Sequence, residues 1–472
     1  MSQRVIVFEV NEVPLRIYRH FQKTRPGSNV DRLLQSSRVL ETMALDVPES
    51  FLYPSQTWAS LNTGAPYDSH QIHWYNDPKP RQFPLYWRTM AEAGLRVGAV
   101  NTLHSSPAEG YAETNPNYAF VIPDCFAADS YTKPRFLEPF QALNLKAVAG
   151  NSRAVSMRVP MREAVSTLAQ LPRYGIQMST LMDGASLVSQ IVRKKTNRER
   201  LRNLQFPLVA DIFLKQVRKH DPDLAILFTN HVAANLHRYW YALFPQDYSA
   251  RIYDEGWVRK YSGEVLAAVD LLDKYLGHLM ELAEKTDRVL VLVSSMGQHA
   301  NPNLTPEFRQ SHSFDFRLED VRKLVSCITG GEFDYRVESA MVPQYSLEFP
   351  SLAAANECAQ AIQANRGTLR GINLVLNQKE HVLTISVLLD SNRPDYEARG
   401  KVLSYSELGF VRFEVDDHHS GCHCPDGSLI IYNSKTSHAS KESINYLEYA
   451  PALLKHFGLP ANQYMVEPSF SL

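Results

Sequence analysis

The chain has 472 residues, 44% hydrophobic and 21% charged, with 49 Lys and Arg against 50 Asp and Glu. That profile excludes a disordered or fibrous chain and leaves room for two or three domains, or one large domain with insertions. A net charge of −1 leaves no global attraction to nucleic acid or to an anionic membrane, and Arg193-Lys194-Lys195 with Arg198 and Arg200 reads as a solvated helix face. In chain order, short apolar runs at residues 5–10, 97–100, 119–122, 224–229, 289–294 and 429–432 each end in polar turns. Runs rich in Val, Ile and Leu on both faces predict central strands of a parallel sheet. Helical patterns lie between them at 29–34, 86–93 and 263–283. The last carries Val265, Ala268, Val269, Leu272, Tyr275, Leu276 and Leu279 on one face. This alternation predicts an α/β core, a mostly parallel sheet sandwiched by helices.

Two segments break the alternation. Residues 134–220 are long and mostly helical in pattern, which suggests a cap over the carboxyl edge of the sheet. Residues 341–390 read as a strand, a helix capped by Ser351 and a hairpin around Asn377-Gln378-Lys379-Glu380. The predicted organisation is an α/β core at 1–133, 221–330 and 413–472, a helical cap at 134–220 and a small α+β insertion at 331–412, entered at Gly330-Gly331. Five scattered cysteines, Cys125, Cys327, Cys358, Cys422 and Cys424, argue against a disulfide framework. The opening MSQRVIVFEV has too short an apolar run to span a membrane and no small-residue cleavage site. The expectation is a cytoplasmic protein with no membrane partner.

Open parallel sheets bind ligands beyond the carboxyl ends of their strands. There the sequence places Glu9, Asn11 and Glu12 after the first run, and Ser55 and Thr57 in YPSQTW. Asn230, His231, His237 and Arg238 follow in NHVAANLHRYW, then Ser294-Ser295-Met296-Gly297-Gln298-His299. The last group is Asp416, Asp417, His418, His419, Cys422, His423 and Cys424. In this order the chain resembles the alkaline phosphatase superfamily, in its type I phosphodiesterase and nucleotide pyrophosphatase branch. Residues 5–12 resemble the strand that ends in a metal-binding Asp. TWASLNTGAPYDSHQI resembles the segment W-x-S-L-x-T-G followed by His, through Trp58, Ser60, Leu61, Thr63, Gly64 and His70. HRYW at His237, and GCHCPDGSLIIYN with His423, resemble the two metal-histidine segments.

The resemblance implies an alkaline phosphatase-like fold with two metal ions, usually zinc, and a Ser or Thr nucleophile. Carried over one position at a time, the ligand set is degraded. The first Asp falls on Asn11, the Asp four residues before His237 falls on Ala233, and the Asp-His pair falls on Ser295 and Met296; only His237 and His423 match. The nucleophile slot falls close to Pro54, with Ser55 and Thr57 the nearby hydroxyls. A dinuclear site is therefore not expected. At most one divalent ion is expected, zinc before others, with His237, His423 and a third group from Glu9, Glu12, His231, Asp417, His419 or Cys422; the alternative is no ion. Asn11, Asn230, Arg238 and Ser295 are the expected substrate contacts.

Blander readings stand beside these. Glu9 and Glu12 read equally as salt-bridge partners of Arg16 or Arg238, Thr57 as a helix cap, and His299 and His312 as loop residues. Cys422 and Cys424, one residue apart, point opposite ways on a strand and lack zinc-knuckle spacing.

Three functions follow. The first is a phosphodiesterase- or phosphatase-like hydrolase or transferase, acting on a small phosphate-containing substrate rather than a nucleic acid polymer. The second is an inactive binding or regulatory protein that keeps the fold. The third is a metal-independent biosynthetic group-transfer enzyme with Glu9 or Glu12 as general base.

Overall fold

The computed structural model describes residues 2–75, 77, 82–127, 129–151, 170–338, 344–390, 393–415 and 418–472. Its central sheet contains β1 (Arg4–Val10), β2 (Arg38–Met43), β3 (Val97–Val100), β4 (Tyr118–Ile122), β5 (Leu224–Thr229) and β6 (Arg288–Ser294), together with Ser428–Tyr432 and Ser443–Asn445. The strand order is Ser443–Asn445, β2, Ser428–Tyr432, β6, β1, β5, β3, β4. β1 lies in the middle, parallel to β5 and β6, and both its faces are covered. Ile6, Phe8 and Val10 pack on the layer built from the helices Gln205–His220 and Glu264–Lys285. Val5 and Val7 pack on the opposite layer, with Trp58 and Leu61 of Pro54–Thr63, Tyr86 and Met90 of Tyr86–Glu92, and Leu453 of Tyr449–His456. The two-residue period of a strand divides β1 between the two cores.

The expected strand positions are all occupied, with one change of direction. Residues 429–432 read as a parallel strand, but Ser428–Tyr432 runs antiparallel between β2 and β6. The chain enters this strand at the carboxyl rim, through the strand Gly421–Cys424 and a bend at Pro425, with Ser428 opposite Ser294, the last residue of β6. No crossover carries the chain back to the other edge, so the strand must descend. β2, with sequence RVLETM, is half buried and lacks the apolar run that marks the other strands.

The late segment forms a four-stranded antiparallel sheet in the order Ile372–Lys379, Val382–Leu389, Gln344–Glu348, Arg336–Glu338. Ser351 caps the helix Leu352–Asn365, its Oγ accepting from the Ala354 amide at 3.2 Å. The hairpin turns at Glu380, which takes positive φ. The core of this unit draws in Leu324, Val325 and Ile328 of the helix Val321–Thr329, so its packing begins ahead of Gly330. Residues 341–343, where this segment was expected to open, lie outside the described residues. In the helical stretch, residues 152–169 also lie outside them. The helix Gln205–His220 supplies Phe206, Val209, Ile212, Phe213 and Val217 to a face of the sheet and does not lie over its edge.

Candidate functional site

Three chain segments meet where β1 ends. The Asn11 amide continues the ladder by donating to Thr229 O at 3.0 Å. Glu12 then takes φ +55, which turns the chain and sends its side chain over the carboxyl rim. His237 stands on the helix His231–Leu243 that follows β5. His423 is the third residue of the strand Gly421–Cys424, which pairs with Gly297–Ala300 so that His423 lies opposite Gln298. The ligand atoms of Glu12, His237 and His423 all lie within 4.8 Å of one another, the one such three-residue group among the described residues.

The contacts are specific. Glu12 Oε2 is 2.8 Å from His237 Nε2 and 3.4 Å from His423 Nε2. The same oxygen accepts from Gln298 Nε2 at 2.5 Å, and Oε1 accepts from Asn11 Nδ2 at 2.7 Å. A buried carboxylate lacking such partners costs several kcal/mol. Burial works against the charged form of Glu12, but the two imidazoles outweigh it and hold the carboxyl well below the usual range. For His423, burial works against the cation, and the Glu12 charge reverses that and raises the imidazole. His237 Nδ1 lies 3.1 Å from Gly421 O, and His423 Nδ1 lies 2.7 Å from Leu52 O. A carbonyl only accepts, so both Nδ1 atoms carry a proton and both Nε2 atoms face the carboxylate. Each Nε2 then holds either a second proton or a metal ion.

This donor set fits one divalent ion. Two imidazoles with one carboxylate are a known zinc ligand set, and carbonyl-anchored histidines are the usual second layer around such an ion. The carboxylate beside the two imidazoles is that of Glu12; Ala233 has none, and its carbonyl accepts from Gln298 Nε2 at 3.2 Å. The second half of a dinuclear site does not fit. Asn11 is a neutral amide whose Nδ2 also donates to Asn230 Oδ1 at 2.8 Å and whose Oδ1 accepts from Trp58 Nε1 at 2.7 Å. Ser295 and Met296 are fully buried. Gly297 of the same triplet lies where an added Cβ would sit 2.1 Å from Asp426 O, so packing alone requires a glycine there.

The other candidate residues are dispersed. Thr57 Oγ1 and Ser295 Oγ face each other at 2.9 Å, both buried. Ser55 donates to His73 O at 2.6 Å, and Pro54 is the first residue of the helix Pro54–Thr63. Arg238 Nη1 reaches Ala234 O at 3.5 Å. Glu9 is fully buried on the Val5 and Val7 side of the sheet, where Thr102 donates to one carboxyl oxygen. His231 is buried against Phe206, its Nδ1 2.7 Å from Thr229 Oγ1 and its Nε2 3.0 Å from Ala268 O. Burial pushes this imidazole down to about 3, which makes it a neutral packing residue. His419 is exposed, its ring 5.3 Å from that of His237. Cys422 Sγ reaches Ala300 O at 3.6 Å, and burial pushes the thiol up to about 11. His299 sits 3.3 Å from Glu49, and His312 stacks on Phe308. Asp417 lies outside the described residues.

Sequence reasoning named Gln298 at a strand end but gave it no role, and it missed the ring cluster of Phe51, Tyr53, His73 and Trp74 beside His423. The aromatic density of FLYP and HQIHWY was its only signal.

A model of the type I phosphodiesterase / nucleotide pyrophosphatase family matches residues 52–340. Among solved structures, phosphonoacetate hydrolase from Sinorhizobium meliloti 1021 is 12% identical over 95% of this chain and 95% of its own, with a TM-score of 0.41. Murine ectonucleotide pyrophosphatase / phosphodiesterase 5 is 11% identical over 98% and 96%, with a TM-score of 0.38. Thermus thermophilus alkaline phosphatase is 11% identical over 97% and 92%, with a TM-score of 0.41. No curated protein matches the chain.

Proposed function

We propose, from the premise that this chain belongs to the type I phosphodiesterase / nucleotide pyrophosphatase family, that it carries out a one-metal version of phosphate-ester hydrolysis. The observation that carries this reading is the convergence of Glu12, His237 and His423 within 4.8 Å, with both imidazoles anchored through Nδ1. A divalent ion held there supplies Lewis acidity toward a phosphoryl oxygen and lowers the pKa of water. Zinc suits these donors best.

The chain's own residues set the rest. Gln298 and Asn11 hold both oxygens of Glu12 in place, and the carbonyls of Leu52 and Gly421 fix the imidazole tautomers. Beside the three ligands the rim presents neutral groups from Asn11, Asn230, Thr57 and Ser295. One dication set against one carboxylate leaves a single net positive charge, which matches a singly charged phosphodiester better than a doubly charged monoester. Thr57 and Ser295 are buried and hydrogen-bonded to each other, and the attack is assigned to water. The new P–O bond comes from water, and the departing alcohol takes up a proton.

The test is metal analysis with turnover on bis(p-nitrophenyl) phosphate and p-nitrophenyl phosphate. The expected result is about one divalent ion per chain, faster turnover of the diester, and loss of both ion and activity in His423→Ala. Protein purified without an ion, unable to take one up and inactive on both esters, would overturn the reading. A second reading, ligand binding without turnover, is favoured by a nucleophile slot that falls close to Pro54 and by the hydrogen-bonded Thr57–Ser295 pair; an ion present without hydrolysis of either ester supports it.

A further inference from the structure

The helix Met178–Val192 has apolar residues on both of its faces. Its inner side is attached to the protein: Thr180 Oγ1 lies 2.9 Å from Tyr275 OH, and Leu187 and Ile191 are partly buried. Its outer side repeats Met178, Met182, Ala185, Val188 and Val192 at steps of three and four residues, which places them on one stripe. That stripe faces solvent: Met178 is 67% exposed, Met182 65%, Val188 49% and Val192 76%. Ser179, Asp183, Ser186 and Gln190 form a separate polar side, and a run of exposed large apolar side chains of this length marks an interaction surface.

Charge identifies the cover. Val192 is followed at once by Arg193, Lys194 and Lys195, with Arg198 just beyond; all four are exposed and form no ion pair among the described residues. At the other end, Lys215, Arg218 and Lys219 line a shallow surface pocket with Gln177, the residue before the helix. The acidic residue on the helix, Asp183, is neutralised by Lys274 at 2.6 Å. An apolar stripe about 22 Å long with cations at both ends has the pattern of a helix lying in the plane of a membrane surface, where apolar side chains enter the acyl boundary and cations meet anionic headgroups.

We propose that the outer face of the Met178–Val192 helix docks the protein on an anionic lipid surface. No helix among the described residues is long and apolar enough to cross a membrane, so the attachment is peripheral.

The test is cosedimentation of the full chain with vesicles of phosphatidylcholine containing about one quarter phosphatidylserine, against phosphatidylcholine alone. Binding to the anionic vesicles is expected, weakened by salt and reduced about fivefold for each of Arg193, Lys194 and Lys195 changed to Gln. Met182→Glu with Val188→Glu should abolish it while far-UV circular dichroism stays unchanged, since both positions are exposed. Absence of binding to anionic vesicles, or equal binding to both kinds, overturns the proposal. So does a lipid-independent dimer that the same Glu pair dissociates, because a second copy of the chain would then be the cover.

Discussion

Replacing Glu9 by Gln removes a single proton-binding group from the middle of the sheet with almost no change of shape. Glu9 is fully buried, and Thr102 donates to Oε2. Burial pushes its carboxyl up to about 8 from 4.5, against the opposing hydrogen bonds of Thr102 and Asn62. Because the folded value exceeds the unfolded one, the folded state holds the proton more tightly. The associated stability is fully present below about pH 4.5 and is lost as pH rises to about 8. At about 1.4 kcal/mol per pH unit, the whole gap corresponds to about 5 kcal/mol. Gln is neutral at every pH, and Asn62, which lies against this carboxyl, can pair with its amide as donor or acceptor. Urea unfolding of both proteins across about pH 5 to 8 should therefore show the advantage of Glu9→Gln growing steadily with pH, at a slope approaching one proton per chain. A difference between the two that does not change across that range would refute the reasoning.

The remaining expectations concern the three-residue cluster and its supports. Glu12→Gln should remove stoichiometric zinc under chelator competition, read by elemental analysis; adding Ala233→Asp to that variant should restore it, and no recovery would reject the exchange of one carboxylate for the other. Gln298→Leu, which takes away the 2.5 Å donor to Glu12, should weaken zinc binding about 10- to 100-fold without changing the thermal midpoint of the metal-free protein by more than a few degrees. Gly297→Ala forces a Cβ to within 2.1 Å of Asp426 O and 2.9 Å of Pro14 Cβ. It should cost about 3 kcal/mol, measured by urea unfolding, and a neutral result would show that this backbone yields easily.

Residue chemistry alone determined a good deal about this protein. Strands covered on both faces announce themselves as apolar runs, so five of the strands around β1 were legible, and β2, half buried with Arg38 and Glu41, was not. The residues at Asn11, Ala233, Ser295 and Met296 are facts of residue type, and from them alone a dinuclear site is not expected. Which carboxylate stands beside the two imidazoles was decided only in three dimensions. Glu9 and Glu12 are indistinguishable by pattern. The alternation of β1 buries Glu9 among Val5 and Val7, while the positive φ of Glu12 turns that side chain to the rim. The same applies to Thr57, whose hydroxyl is taken up by Ser295, and to residues 429–432, whose direction follows from the rim at which the chain enters. The physical reason is one of range: propensity and periodicity act over a few neighbouring residues, whereas a ligand set depends on distances between segments that only the closed sheet brings together.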